Sequence, residues 1–190
     1  MSSLRAIGRL GAWLACCCCG LLLSVSTPIH ADNAPLFNAA GYRIDRYRSP
    51  TPETLDGVQT LDTRALQQLL AERPDTALID VFRRPWVHGQ FSNEEPHLNI
   101  PGSVWLANTG EGELTEPWLS YFVQALLQVS HGDKTHPIVV YCKADCWLSW
   151  NASRRAVALG YQRLYWYRDG IDGWQTADLP TQQATPHALP

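Results

Sequence analysis

The chain has 190 residues, with 15 Lys and Arg against 18 Asp and Glu, six His and six Cys, for a formal net charge of −3. A weakly acidic chain with no basic run offers no electrostatic footprint for nucleic acid. The length supports one domain with a real core, to which the many tryptophans contribute.

Residues 1–31 read as a secretory signal peptide cleaved near Ala31. The segment has no acid, carries Arg5 and Arg9, runs apolar from Gly11 to Val25 and ends in Pro28 and small residues. The apolar run is shorter than the roughly 20 residues of a helical membrane span. The mature chain is therefore expected to be periplasmic, with no membrane span after cleavage. Cys16, Cys17, Cys18 and Cys19 fall inside this leader, and Trp13-Leu14-Ala15 before them is a poor lipid-attachment pattern. Cys142 and Cys146 then remain, an even and closely spaced pair that an oxidising compartment makes a disulfide candidate.

Residues 32–56 hold Tyr42, Tyr47, Pro50 and Pro52 with few periodic apolar positions, and are expected to lie on the domain as an extended arm. Val58 to Leu61 reads as a short strand. Thr63 to Arg73 places Leu66, Leu69 and Leu70 at helical spacing, and Pro74 stops the helix. Ala77 to Val81 is a buried strand carrying Asp80. Phe82 to Asn99, with Pro85, Gly89 and Pro96, reads as a long loop, and Ile100 to Trp105 turns back into the core.

Pro117 to Val129 reads as a helix with Trp118, Phe122, Leu126 and Val129 on one stripe. Pro137 to Tyr141 is the next strand. A helix from about Ser149 to Leu159 follows, stopped by Gly160, and Leu164 to Tyr167 is the last strand. The tail 178–190, rich in Pro, Thr and Gln, is expected to be flexible. Alternating strands and helices predict an α/β fold, a single domain whose central, mostly parallel sheet has helices on both faces.

Between the strand ending at Tyr141 and its helix lies Tyr141-Cys142-Lys143-Ala144-Asp145-Cys146-Trp147. Sulfur at a strand's carboxyl end can be a nucleophile, a redox couple, a metal ligand or a staple. A helix N-terminus offers free N–H donors and a positive dipole end, which favour a thiolate, and Lys143 adds a local cation.

Leu78-Ile79-Asp80-Val81, Ile100-Pro101-Gly102-Ser103, Val139-Val140-Tyr141-Cys142, Leu159-Gly160-Tyr161 and Asp169-Gly170-Ile171-Asp172-Gly173-Trp174, in that order, resemble a rhodanese homology domain over residues 57–177. With Gly41-Tyr42-Arg43, Tyr47-Arg48 and Asp145-Cys146-Trp147, the pattern is similar to the exported PQQ-dependent catabolism-associated CXXCW motif proteins. The resemblance implies a rhodanese-like fold with no required cofactor, a place beside periplasmic quinoprotein alcohol oxidation, and Cys142 in the position that carries a persulfide. PQQ itself enters by that likeness alone.

Asp145 and Trp147 stand where sulfurtransferase loops usually have a glycine and a basic or hydroxyl residue, and Asn99 stands where a His is common. Asp145 would repel an anionic donor, which points away from thiosulfate:cyanide transfer. Cys146 adds a resolving thiol, which suits thiol redox or sulfur relay with a periplasmic thiol or quinoprotein partner. The candidate catalytic residues are thus Cys142, Cys146, Lys143, Asp145 and Trp147.

Two alternatives stay open at this point. One is a local structural disulfide; the other is a non-catalytic copper- or cofactor-binding or docking module for a quinoprotein system, its copper site formed by Cys142 and Cys146 with His88 or His97, soft thiolates suiting Cu(I). His131 and His136 are poorer candidate ligands. Asp80 is expected either to orient the cysteine loop or to bond backbone N–H groups nearby. Trp150 reads as core, Arg154 and Arg155 as a solvated helix face, and Asn151-Ala152-Ser153 as a chance glycosylation sequon.

Overall fold

The computed structural model describes residues 35–189; the expected leader lies outside the described residues. Strand β1 (Gln59–Leu61) leads into helix α1 (Thr63–Glu72), whose N-cap Asp62 accepts from the Ala65 N–H at 2.7 Å. Strand β2 (Ala77–Asp80) is followed by two short strands, β3 (Trp86–Val87) and β4 (Gln90–Phe91), then by β5 (Leu98–Asn99) and β6 (Val104–Trp105). Helix α2 (Glu116–Val129), β7 (Ile138–Tyr141), α3 (Trp147–Ala158), β8 (Leu164–Tyr167), α4 (Gly170–Thr176) and β9 (Gln182–Gln183) complete the chain order.

Five strands form one parallel sheet in the order β1-β8-β7-β2-β6. β7 is central and all four of its residues are buried, as a strand covered on both sides must be. The alternation of a strand sorts its side chains between two cores. Ile138, Val140 and Cys142 point toward Tyr121, Phe122 and Leu126 of α2 and toward Leu148, Ala152 and Ala156 of α3. Val139 and Tyr141 join Leu66 of α1 and Ile171 and Trp174 of α4. Helices thus cover both faces, and the carboxyl ends of β2 and β7 bring Asp80 and Tyr141 into register at one edge.

Three segments differ from the sequence expectation. The loop 82–99 contains the β3–β4 hairpin, because His88 and Gly89 both take the positive φ, 52° and 78°, that a tight two-residue hairpin turn requires. The tail 178–189, expected to be flexible, is pinned along the molecule. β9 pairs antiparallel with β5, His187 N–H donates to the Trp105 carbonyl at 2.8 Å, and Tyr121 donates its hydroxyl to the His187 carbonyl at 2.7 Å. Composition made it look unstructured, whereas its order comes from covering partners distant in sequence. Helix α3 begins at Trp147, two residues before the expected Ser149, which makes Cys146 its N-cap. Among the described residues no helix is long and apolar enough to cross a membrane.

Candidate functional site

β7 ends at Tyr141 and α3 starts at Trp147, so Cys142 and Cys146 bracket a tight turn in which Asp145 takes a left-handed φ of 49°. The turn brings their Cα atoms to 6.2 Å and the two sulfurs are joined as a disulfide. Both residues are buried, Cys142 1% and Cys146 2% exposed. Among the described residues the copper alternative finds no third ligand beside the two sulfurs. His97 lies against Asp80, His88 is exposed in the hairpin turn, and His131 and His136 face each other at 6.2 Å. Among the described residues no group of three or more His, Cys, Asp or Glu is placed to hold a metal ion.

The arm preceding β1 runs over the turn as a short antiparallel partner. Arg48 bridges Cys146: the Trp147 N–H donates to the Tyr47 carbonyl at 2.8 Å and the Ser49 N–H donates to the Asp145 carbonyl at 3.1 Å. The Asp145 carboxylate accepts from the Thr51 N–H at 3.3 Å. Asp145 therefore holds the arm, and it does so through the chain's own backbone.

α4 closes the other side. Ala144 N–H donates to the Asp172 carboxylate at 3.1 Å, and Ile171 N–H donates to the Cys142 carbonyl at 2.9 Å. Gly170, at φ 57°, bridges Lys143 so closely that a Cβ there would lie 2.5 Å from the Cys142 carbonyl oxygen. Only glycine fits such an approach. The N–H groups of Ala144 and Trp147 are thus both engaged within the protein, where a free anion cradle would leave them open.

Lys143 places its ammonium 4.8 Å over the Phe82 ring. His97 stacks on Phe82 at 5.0 Å and bonds Asp80 at 2.6 Å through Nε2. Asp80 also accepts from the Phe82 N–H at 2.8 Å, so of the two roles expected for it the structure shows the backbone contact, with His97 added. Burial pushes the Asp80 carboxyl above its ordinary range, opposed by the hydrogen bond from His97. Tyr141, beside Asp80, is raised chiefly by burial as well.

Trp147 packs edge-on against Phe37 and Trp150, with the Arg43 guanidinium 4.9 Å over its ring. It joins Trp150, Trp166 and Leu55 in a separate cluster under the arm. An open groove of about 730 Å³ runs beside the disulfide, lined by Tyr47, Arg48, Phe82, Arg83 and Leu148. Cys146 is part of this lining; Cys142 is not.

Several residues of the site carried little signal in the sequence. Asn151, read as a chance sequon, is fully buried and clamps the arm: its Oδ1 accepts from Arg43 N–H at 2.9 Å, and its Nδ2 donates to the carbonyls of Arg43 and Gly110 at 2.8 and 2.9 Å. Arg155, read as solvated, is 6% exposed and donates to the Thr109 and Glu111 carbonyls, both at 2.8 Å. The arm and the segment before α2 cover the helix face that the polar residue types suggested was free. Arg154 donates to the Ala40 carbonyl at 3.2 Å.

No curated protein matches the chain. Among solved structures, a thiosulfate sulfurtransferase from Pseudomonas aeruginosa matches at 17% identity and TM-score 0.49, over 70% of this chain and 22% of its own. A polysulfide-sulfur transferase homodimer from Wolinella succinogenes matches at 23% and 0.45, over 69% and 82%. A 3-mercaptopyruvate sulfotransferase from Escherichia coli matches at 18% and 0.45, over 70% and 54%. The chain thus spans under a quarter of the first of these proteins. The model of the rhodanese-like domain matches residues 62–177, most of the chain, and includes the cysteine turn, α3 and α4. The chain belongs to the rhodanese-like domain family.

Proposed function

We propose that this protein is a thiol–disulfide relay built on a rhodanese-like domain, with Cys142 and Cys146 alternating between disulfide and dithiol. The observation that carries the reading is the disulfide between the thiol at the family's reactive position and the thiol at the N-cap of α3. The engaged N–H groups of Ala144 and Trp147 support exchange over storage of a persulfide in an open cradle.

Exchange enters at Cys146, since that sulfur's residue lines the groove. A partner thiolate attacks Cys146 Sγ, the intramolecular S–S bond breaks, and its electron pair leaves on Cys142 Sγ. A second partner thiolate then attacks the partner sulfur of the mixed disulfide and expels Cys146 as thiolate. Two partner thiols are oxidised to one disulfide while the protein gains two electrons and two protons. The N-terminal end of α3 stabilises the thiolate expelled at its cap. Lys143 and Asp145 act as positioning residues of the turn, and Trp147 fixes the start of α3.

In the same reading the relay works in the periplasm, on a thiol partner or a protein of a PQQ-dependent alcohol-oxidising system. Support comes from the leader-like residues 1–31 and from the likeness to the CXXCW motif group.

The test is a trap. Cys142→Ser leaves Cys146 free, and with oxidised glutathione it is expected to accumulate one mixed disulfide, releasing one glutathione thiolate, at least tenfold faster than Cys146→Ser, read as intact mass. Faster trapping at Cys142 in Cys146→Ser would contradict entry at Cys146 and return the chemistry to the family's usual sulfur.

A further inference from the structure

Arg84 is a buried cation with no anionic partner among the described residues. The residue is 7% exposed, and its Nε is shut from solvent with no hydrogen-bond partner. Among the described residues its guanidinium takes part in none of the ion pairs. The position is firmly set: Arg84 N–H donates to Asn108 Oδ1 at 2.9 Å, and the Arg84 carbonyl accepts from Asn108 Nδ2 at 2.7 Å. The guanidinium carbon lies 4.9 Å over the Trp105 indole. That face offsets part of the charge but leaves the planar N–H fork unmatched. Nε is the guanidinium nitrogen sealed from solvent, while among the described residues the two Nη groups make no protein hydrogen bond, which leaves their N–H donors free for a ligand.

Arg84, Trp105 and His97 line one cavity of about 240 Å³, bounded on its far side by the tail from Gln183 to Pro186. This is smaller than the roughly 300–1,000 Å³ of a pocket for a drug-sized ligand. His97 commits Nε2 to Asp80, which fixes the ring against Trp105 at a centroid distance of 4.1 Å. Glu95 is the one carboxylate in the lining, and it is exposed.

We infer that this cavity is a binding site for a small oxyanion, a carboxylate or a tetrahedral oxyanion, held by the Arg84 fork above the Trp105 indole. Arginine suits this ligand class because its parallel N–H donors match two oxygens at once. Glu95 competes from the rim for the same cation. The tail covers the cavity, which gives its pairing with β5 and its contact with Trp105 a role in closing the site. This site is separate from the groove beside Cys146 and does not depend on the relay.

The test titrates the full chain with sodium acetate and with sodium sulfate, ionic strength held constant with chloride, following indole fluorescence and binding heat. Saturable binding of one anion is expected, and which of the two binds distinguishes a carboxylate ligand from a tetrahedral one. Arg84→Met should weaken binding at least tenfold with the fold intact by circular dichroism, Arg84→Lys several-fold, and Glu95→Gln should tighten it. Without added anion, Arg84→Met should melt no lower than the wild type, since it removes a charge that has no partner. No saturable binding of either anion, binding that survives Arg84→Met, or a lowered Tm in Glu95→Gln from a broken Arg84–Glu95 pair would each overturn the inference.

Discussion

At the scale of single residues, the disulfide and Asp80 do different work. A ring closed by residues four apart in sequence restricts the unfolded chain little, and the entropy model puts its contribution at about 2 kcal/mol. One of the two main cores contains neither cysteine, and in the other the pair stands among many aliphatic and aromatic side chains, so reduction is compatible with a folded protein. Asp80 is the residue with a signed pH signature. Desolvation raises its carboxyl above the ordinary 3.8, against the hydrogen bond from His97. The folded chain therefore holds that proton more tightly than the unfolded chain. Its contribution to stability is fully present below about 3.8 and is lost as pH rises through the raised folded value. In Asp80→Asn that contribution is absent. The Tm of the wild type minus that of Asp80→Asn is expected to fall as pH is raised from about 3 toward neutrality, and a difference that grows over this range contradicts the assignment.

Among elements, the arm and α4 act as two clamps on the cysteine turn. Asn151 makes three buried hydrogen bonds across α3, the arm and the segment before α2. Asn151→Ala strands those backbone groups and is expected to cost about 3 kcal/mol, read by urea denaturation. The same variant should speed reduction of the disulfide by dithiothreitol, because Tyr47 and Ser49 then hold the turn less firmly. An unchanged rate would mean that the arm does not gate the sulfurs. On the other side, Gly170→Ala drives a Cβ into the Cys142 carbonyl at a positive φ. It is expected to cost about 2 kcal/mol and to displace the turn, seen as changed backbone amide shifts of Lys143 and Ala144.

These elements also show where the sequence was legible. β2, β7, β8, α1 and α2 announce themselves through local periodicity and through Pro and Gly at their ends, which are properties of neighbours along the chain. The pairing of Cys142 with Cys146 was open to the same local reading, since four residues across a strand-to-helix turn bring two side chains together. The arm's bridge to Cys146, the burial of Arg155 and Asn151, and the pinned tail arise from contacts between distant segments. Polar residue types hid them, because each polar group is buried against a backbone partner that composition does not reveal. The β3–β4 hairpin had a usable signal in Trp86-Val87-His88-Gly89-Gln90-Phe91, an apolar pair and an aromatic on either side of a turn, but its strands are only two residues long.

At the scale of the whole molecule, a parallel sheet delivers a thiol to the carboxyl edge of its central strand, and the rest of the chain decides what that thiol can do. Here the arm, α4 and a second cysteine close over it, leaving Cys146 on an open groove beside the pair. On the proposed function this pair is a working redox couple. Equilibrating the full chain in glutathione buffers of graded potential, quenching with an alkylating reagent and weighing the intact protein tests it most directly. A reversible two-electron transition is expected, with a midpoint above about −300 mV and unchanged far-UV circular dichroism on both sides. A pair that stays oxidised throughout, or that is reduced only as the domain unfolds, would show the disulfide to be a staple and would contradict the relay.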